Sequence, residues 1–182
     1  TTPRDRWDYT ATQQITLADL PLGEDGANRR VVMQAPKNGF FYVLDAADGE
    51  LISATPFTAQ NWTTGQFDEN GRPELVEEAV DLALYAVVPG PTGAHNWHPM
   101  AFNPDTGLVY IPVNEIPFFY DKTRNVEDSK SFWNIGYDAA AGWPVEYPAG
   151  TLDAVRDLDG GSLLAWDPVK AEPRWAVPFP LP

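Results

Sequence analysis

The segment GAHNWHPM, residues 93 to 100, concentrates side chains that could do chemistry between two proline-containing turns, which indicates a loop. The Asn96 amide can donate and accept hydrogen bonds, and the Trp97 indole offers apolar area and one donor. His95 and His98 stand three residues apart, with no acidic residue in the same loop and no cysteine in the chain. A zinc site therefore has little support, and we expect structural roles for both histidines. Asn96 and Trp97 fit either a ligand contact or a capped turn with a docking aromatic.

Short hairpins are the elements that must position this loop. Apolar runs alternate with turns rich in Asp, Asn, Pro and Gly, and the turns fall at residues 35–39, 45–49, 103–107 and 167–171. We expect Asn38-Gly39 to supply the positive backbone angles that a tight hairpin needs. In the last three turns an Asp or Asn leaves one strand, and four residues later a Gly or Ala starts the next. This repetition predicts an all-β protein with stacked or radial units.

Two segments do not follow the hairpin pattern. Residues 76–88, VEEAVDLALYAVV, fit a helix or a strand equally well by periodicity. Residues 114–162 are expected to be long connections that carry several aromatic side chains. Long ordered loops in a compact domain usually have a functional or a covering role.

The composition is that of a folded, acidic protein. Of 182 residues, 43% are hydrophobic and 13% aromatic, which excludes the usual signature of disorder. The formal charge of −14 disfavours nucleic acid and anionic membranes as partners. The first residues have neither an initiator Met nor a signal-peptide layout, and no apolar run approaches the roughly 18 residues of a membrane span. With an end on PFPLP, these features predict that the chain is cut from a longer polypeptide.

Several stretches carry a resemblance to one enzyme family. The hairpin AWDPVKAEPRW resembles the tryptophan docking motif of quinoprotein propellers, with Ala165, Asp167 and Trp175 at matching offsets and Ala171 where that motif prefers Gly. Three longer stretches make the resemblance specific: WDYT at 7–10, PKNGFFYVLDAADGELISATPF at 36–57 and GAHNWHPMAFNPDTGLVYIP at 93–112. In this order they resemble the middle of a pyrroloquinoline-quinone-dependent alcohol dehydrogenase of the methanol/ethanol dehydrogenase type. The resemblance implies that residues 1–182 are a contiguous segment of an eight-bladed β-propeller.

The resemblance also implies roles for particular residues. Asp8 would be the catalytic base that takes the alcohol proton while a hydride passes to the quinone, and it would also bind the metal ion. Lys37 would contact the cofactor and stabilise negative charge on its oxygens, and Asn96 and Trp97 would line the quinone pocket. Primary alcohols would be oxidised to aldehydes, with a cytochrome c or a membrane quinone as electron acceptor. The family is periplasmic, and we expect that location here.

The resemblance favours calcium over a lanthanide as the metal. Lanthanide-dependent relatives carry a second Asp two residues after the catalytic one, and here that position is Thr10. A calcium ion would act as a Lewis acid on the quinone carbonyl. The Glu and Asn that complete the metal site would lie upstream of residue 1. The chain has no haem-binding CxxCH, so haem c would be a feature of the parent protein only.

Each assignment has a simpler alternative. Without context, Asp8 and Lys37 are typical of solvated turn residues. Four tryptophans are interpreted as packing residues, and five turn Asp and Asn side chains need no function; these are Trp62, Trp133, Trp143 and Trp175, and Asp45, Asp48, Asn103, Asp105 and Asp167. A non-catalytic propeller that serves as a binding scaffold is the main rival, and a glycosidase or sugar-binding propeller has no paired acids to support it. A segment with cut sheet edges is expected to be inactive by itself.

Overall fold

Antiparallel sheets dominate the computed structural model, which describes residues 2–81, 83–121 and 160–179. The first four-stranded sheet has the order β1-β2-β3-β4, formed by Thr16–Leu20, Arg29–Gln34, Phe40–Asp45 and Leu51–Pro56. The second has the order β12-β11-β9-β8, formed by Glu172–Pro178, Gly161–Asp167, Leu108–Asn114 and Ala101–Asn103. The all-β prediction is confirmed. The number of blades in the parent propeller and the domain boundaries stay predictions.

Smaller elements lie between the strands of the two sheets. Thr63–Phe67 (β5) pairs with Pro73–Leu75 (β6), and Ala83–Val87 (β7) pairs with Phe118–Asp121 (β10). A 3₁₀ turn covers Glu24–Gly26.

The two segments outside the hairpin pattern are resolved in different ways. Residues 76–88 contain both expected structures, because the short helix α1 at Glu77–Asp81 precedes β7 within this stretch. The stretch 114–162 was expected to be loop, and that expectation is wrong at 114, 118–121 and 161–162, which belong to β9, β10 and β11. The aromatic residues of β10 pair with β7, a long-range contact that local pattern does not reveal. Trp133 and Trp143 lie outside the described residues.

The predicted hairpins and their turn chemistry are confirmed. The Asp45 carboxylate and the Asn103 carboxamide oxygen each accept the backbone N–H of the residue two positions further on. The Asp167 carboxylate accepts the backbone N–H groups of two following residues. Gly49 and Gly107 have φ values of 80° and 69°, and Ala171 takes the same left-handed conformation at 55°. Such Asx turns repeat because a short side-chain acceptor satisfies the backbone donors of the turn.

The expectation for Asn38-Gly39 was half wrong. Gly39 has a φ of 88°, whereas Asn38 is not among the described residues with positive φ. The Asn38 side chain instead accepts the Phe40 N–H at 3.2 Å and donates to the Tyr42 hydroxyl at 2.9 Å. The amide therefore stabilises the turn by hydrogen bonds, and glycine alone supplies the left-handed backbone.

Two apolar clusters hold these elements together, and β3 contributes to both. Phe41 and Val43 pack with inward-facing side chains of the second sheet, such as Ile111. Phe40 and Tyr42 project to the opposite face and pack with aromatic residues of the other cluster. Since alternate strand residues face opposite sides, the unbroken apolar run FFYVL marks a strand that is covered on both faces.

Acid is expected to weaken the fold through its turn carboxylates. Asp45 accepts a hydrogen bond from the Ala47 N–H and forms an ion pair with Arg29. These contacts hold the pKa of Asp45 below its ordinary value of 3.8. A lowered folded-state pKa gives stability that is complete above the unfolded value and is lost as the pH falls through the folded value. In Asp45→Asn, we expect the free energy of unfolding in urea to change less between about pH 5 and about pH 2 than in the wild type. These two pH values lie above and below the ordinary pKa of a carboxyl group. An unchanged pH slope would contradict this role for Asp45.

Candidate active site

Asp8 stands between two buried aromatic residues. Trp7 and Tyr9 are buried, and their rings lie 5.5 Å apart, each within 5.6 Å of the ring of Trp62. The Trp7 indole N–H donates to the Ala79 carbonyl at 3.3 Å, which ties this segment to α1. Anchored on both sides, Asp8 projects away from the cluster with its side chain 60% exposed.

The backbone of Asp8 is in an uncommon conformation. Its φ is +64°, in the left-handed region that a residue with a Cβ enters at a cost of about 1–3 kcal/mol. Such a conformation persists where surrounding contacts over-determine it, and the aromatic anchors on either side provide those contacts. This strain marks the Asp8 position as a candidate functional site.

Lys37 meets Asp8 directly. The Lys37 ammonium donates to the Asp8 carboxylate Oδ2 at 2.9 Å and to the Asp8 backbone carbonyl, also at 2.9 Å. Lys37 is only 7% exposed, so its aliphatic stem is packed while its charge reaches the exposed carboxylate. The structure thus brings together the two residues to which the sequence assigned base and cofactor-contact roles.

The loop that contains Asn96 and Trp97 lies against the same hairpin. The Ala94 N–H donates to the Lys37 carbonyl at 2.9 Å. The Asn96 amide accepts from Gln13 Nε2 at 3.3 Å and donates to the Thr92 carbonyl at 2.9 Å, so the amide is held in one orientation. Among the described residues one proton of its NH₂ group is used in this way, and the other is suited to a ligand. Gln13 therefore helps to orient the Asn96 amide, a role that the sequence did not indicate.

Trp97 and the histidines differ sharply in their surroundings. Trp97 is 87% exposed, so its indole packs little against the described residues. His95 is fully buried, with Nδ1 at 2.5 Å from the Ala35 carbonyl oxygen and Nε2 at 2.6 Å from that of His98. The imidazole of His95 therefore anchors the loop to Ala35, the residue after β2, in agreement with the structural role expected for it.

Tyr9 links the Asp8 segment to the start of this loop. Its hydroxyl donates to the Pro89 carbonyl oxygen, next to the cis peptide bond Val88-Pro89. Burial raises the pKa of the Tyr9 hydroxyl well above its ordinary value, so that the group stays neutral and remains a donor. This connection was not visible in the sequence, because it joins residues far apart along the chain.

The donor set fits the cofactor and metal that the resemblance implies. A carboxylate oxygen suits a hard cation such as calcium, and an ammonium group suits an anionic quinone oxygen. Among the described residues, the hydrogen bond to the Asp8 side chain falls on Oδ2, so Oδ1 is not used by that bond and could accept a proton or a metal ion. No group of three His, Asp or Glu side chains within the described ranges could hold a metal alone. Any metal at Asp8 would need ligands from elsewhere.

In the part of the chain that the structure describes, no helix has the length and apolar character needed to cross a bilayer.

Known proteins resemble this chain over almost its whole length. The family described as "Glucose/ethanol/alcohol dehydrogenase, beta-propeller domain" matches residues 1–69, which include Asp8 and Lys37. The quinohemoprotein alcohol dehydrogenase ADH-IIG of Pseudomonas putida is 46% identical over 98% of this chain, and the dehydrogenase subunit of the alcohol dehydrogenase (quinone) of Acetobacter aceti is 42% identical over 97%. The chain spans about a quarter of the length of each, 25% and 24%.

A solved structure gives the same result. The structure of quinohemoprotein alcohol dehydrogenase ADHIIG from Pseudomonas putida HK5 superimposes with a TM-score of 0.78 at 42% identity, over 98% of this chain and 26% of that one. The strand pattern, the tryptophan-bearing hairpins and the Asp8–Lys37 pair are thus found in a chain that matches such proteins almost from end to end. Residues 1–69 thus match the β-propeller family of glucose, ethanol and alcohol dehydrogenases, and the chain as a whole is similar to a segment of quinohemoprotein alcohol dehydrogenases.

Proposed function

We propose that this chain is a segment of a periplasmic alcohol dehydrogenase that oxidises primary alcohols to aldehydes, with pyrroloquinoline quinone as cofactor. The observation that carries the proposal is the direct contact of the Lys37 ammonium with the Asp8 carboxylate, in a chain so similar to quinohaemoprotein alcohol dehydrogenases. The names of the relatives favour a haem-bearing parent and a quinone or a cytochrome c as electron acceptor. The alternative, a non-catalytic scaffold, gives no reason for a strained, exposed acid paired with a buried lysine.

The residues of this chain would divide the work. The Asp8 carboxylate would take the hydroxyl proton of the alcohol, and the hydrogen bond from the Lys37 ammonium holds that carboxylate in its orientation. The Lys37 ammonium has three N–H donors, and its two described hydrogen bonds both go to Asp8. The third donor would then serve an anionic oxygen of the cofactor. Asn96 and Trp97 would contribute an amide donor and an aromatic face to the pocket wall. When bound, the quinone supplies a two-electron acceptor for the hydride, and the metal ion supplies Lewis-acid polarisation.

We propose calcium as the metal. Thr10 is exposed and follows the strained Asp8 by two residues, so the side chain there is neutral where an additional acid would favour a trivalent ion. The remaining ligands would come from parts of the protein outside this chain.

Reconstitution of the full-length protein tests the proposal. The apoprotein is loaded with pyrroloquinoline quinone and either calcium or lanthanum, and ethanol-dependent reduction of an artificial dye is followed by absorbance. We expect turnover that requires the quinone and is supported by calcium more than by lanthanum. Cofactor binding without ethanol-dependent turnover would favour the scaffold instead, and better support by lanthanum would refute the metal assignment.

A further inference from the structure

The loop of residues 89–95 touches Lys37 more closely than any side chain would allow. Gly93 has a φ of 79°, and a Cβ added to it would lie 2.3 Å from Lys37 Cγ, 2.6 Å from Lys37 Cβ and 2.8 Å from Lys37 Cα. Carbon atoms that are not bonded pack at about 3.5–4.0 Å. Gly93 is thus the residue that lets this loop lie flat against the stem of Lys37.

We propose that Gly93 is a positioning residue for the Lys37 ammonium: its bare backbone confines the lysine stem so that the charge reaches Asp8. The structural part of this inference stands on the contacts alone. Its consequence for catalysis rests on the function proposed above.

The loop cannot easily move away to make room for a side chain at position 93. Before Gly93, the Pro89 carbonyl is held by the Tyr9 hydroxyl, and after it the Ala94 N–H bonds the Lys37 carbonyl at 2.9 Å. The buried His95 ring fixes the end of the loop to Ala35. With both ends held, a methyl group at position 93 would displace the lysine stem.

The direction of Lys37 depends on that confinement. A free lysine side chain has several rotatable bonds and loses rotamer entropy when it is fixed in one conformation. The backbone of Gly93 restricts this freedom close to the lysine Cα, where a rotation moves the distant Nζ most. A change at Cγ would therefore break one or both of the 2.9 Å bonds to Asp8.

Chemical labelling of the full-length apoprotein tests the positioning role without relying on activity. Lys37 is buried and Lys170 is exposed, so acetylation of the two can be compared by peptide mass spectrometry in the same sample. In Gly93→Ala we expect Lys37 to be acetylated severalfold faster relative to Lys170 than in the wild type. The matched control is Gly49→Ala: Gly49 has a φ of 80°, but nothing lies within 4 Å of its added Cβ. Equal Lys37 reactivity in the two variants would overturn the inference.

Kinetics of the loaded enzyme separate positioning from general destabilisation. A displacement of about 1 Å at a catalytic group can cost on the order of 10²-fold, so we expect Gly93→Ala to lower kcat by about 10–100-fold. In a Lys37→Met background the same change should lower kcat no further, because the group that it positions is gone. Full additivity of the two losses would indicate a merely structural role and refute the inference.

A second variant covers the case in which Gly93→Ala does not fold. Lys37→Gly removes two of the three atoms that an added Cβ would meet, so the double variant should recover soluble protein and a higher melting temperature. Continued insolubility of the double variant, when Lys37→Gly alone is soluble, would overturn the inference. If Gly93→Ala exposes Lys37 but Asp8→Asn still oxidises ethanol, the positioning contact stands and the proposed function fails.

Discussion

In full-length protein loaded with cofactor, Asp8→Asn is expected to lower kcat for ethanol oxidation by about 10²–10⁴-fold, the usual contribution of a positioned general base. Asparagine has nearly the same shape, and its carbonyl oxygen can still accept the hydrogen bond from Lys37, which now lies 2.9 Å from Oδ2. The change therefore removes the proton acceptor and leaves the local geometry in place. Steady-state dye reduction gives kcat, and absorbance of the bound quinone shows whether the variant still holds its cofactor.

The control for this variant is another exposed acid. Asp48 accepts the Glu50 N–H in the 45–49 turn and has no contact with Lys37 among its described hydrogen bonds, so Asp48→Asn should keep the wild-type kcat. Unchanged turnover in Asp8→Asn with cofactor bound would refute the base assignment. Loss of cofactor together with activity would show instead that Asp8 acts chiefly through metal or quinone binding.

Trp62→Ala should produce the largest loss of stability, about 3–5 kcal/mol, as is typical when a buried Trp or Phe is truncated. Trp62 is fully buried and packs against Trp7, Tyr9 and Phe40 with ring centroids 5.5–5.9 Å apart. Its indole N–H donates to the Asn38 carbonyl at 3.0 Å, at the tip of the hairpin that carries Lys37. The change in the free energy of unfolding is measured by urea titration, followed by circular dichroism of the backbone in the far ultraviolet.

Trp62→Phe provides the matched comparison. Phenylalanine keeps most of the apolar contact but cannot donate to Asn38, so the loss should be clearly smaller than for alanine, about 1–3 kcal/mol. A loss below 1 kcal/mol in Trp62→Ala, well under the range for large-to-small core changes, would mean that the aromatic cluster does not hold the Asp8 segment. Since Trp62 touches both neighbours of Asp8, the alanine variant should also show weaker cofactor binding.

The hairpins were predictable because their determinants are local. An Asp or Asn followed four residues later by Gly or Ala fixes a turn through contacts within the turn, as at Asp45 and Asp167. Strand β10 was missed for the opposite reason, since Phe118–Asp121 becomes a strand only through pairing with β7. The ambiguity at residues 76–88 was real: a short helix and a strand share that stretch.

The site divides in the same way. Asp8 and Lys37 were found through the motifs that surround them, and their contact confirms that these residues converge; their catalytic roles stay predictions. Gly93 was read only as part of a loop, because its importance comes from the Lys37 stem on another hairpin. Gln13 gave no signal at all, since its partner Asn96 is distant in sequence. The exposed Trp97 would find a partner only in parts of the protein beyond the described residues.

The double coverage of β3 makes the two halves of the Asp8–Lys37 pair unequal in their dynamics. Lys37 precedes a strand that is hydrogen-bonded on both edges and packed on both faces, which is the kind of element that exchanges its amide hydrogens last. Asp8 belongs to a segment before β1 that has no ladder partners among the described residues and relies on its aromatic anchors. Transient opening of the site would thus begin with movement of the segment that contains Asp8. The Lys37 ammonium would keep its position, and the Asp8 carboxylate would re-form its hydrogen bond to it when the segment closes.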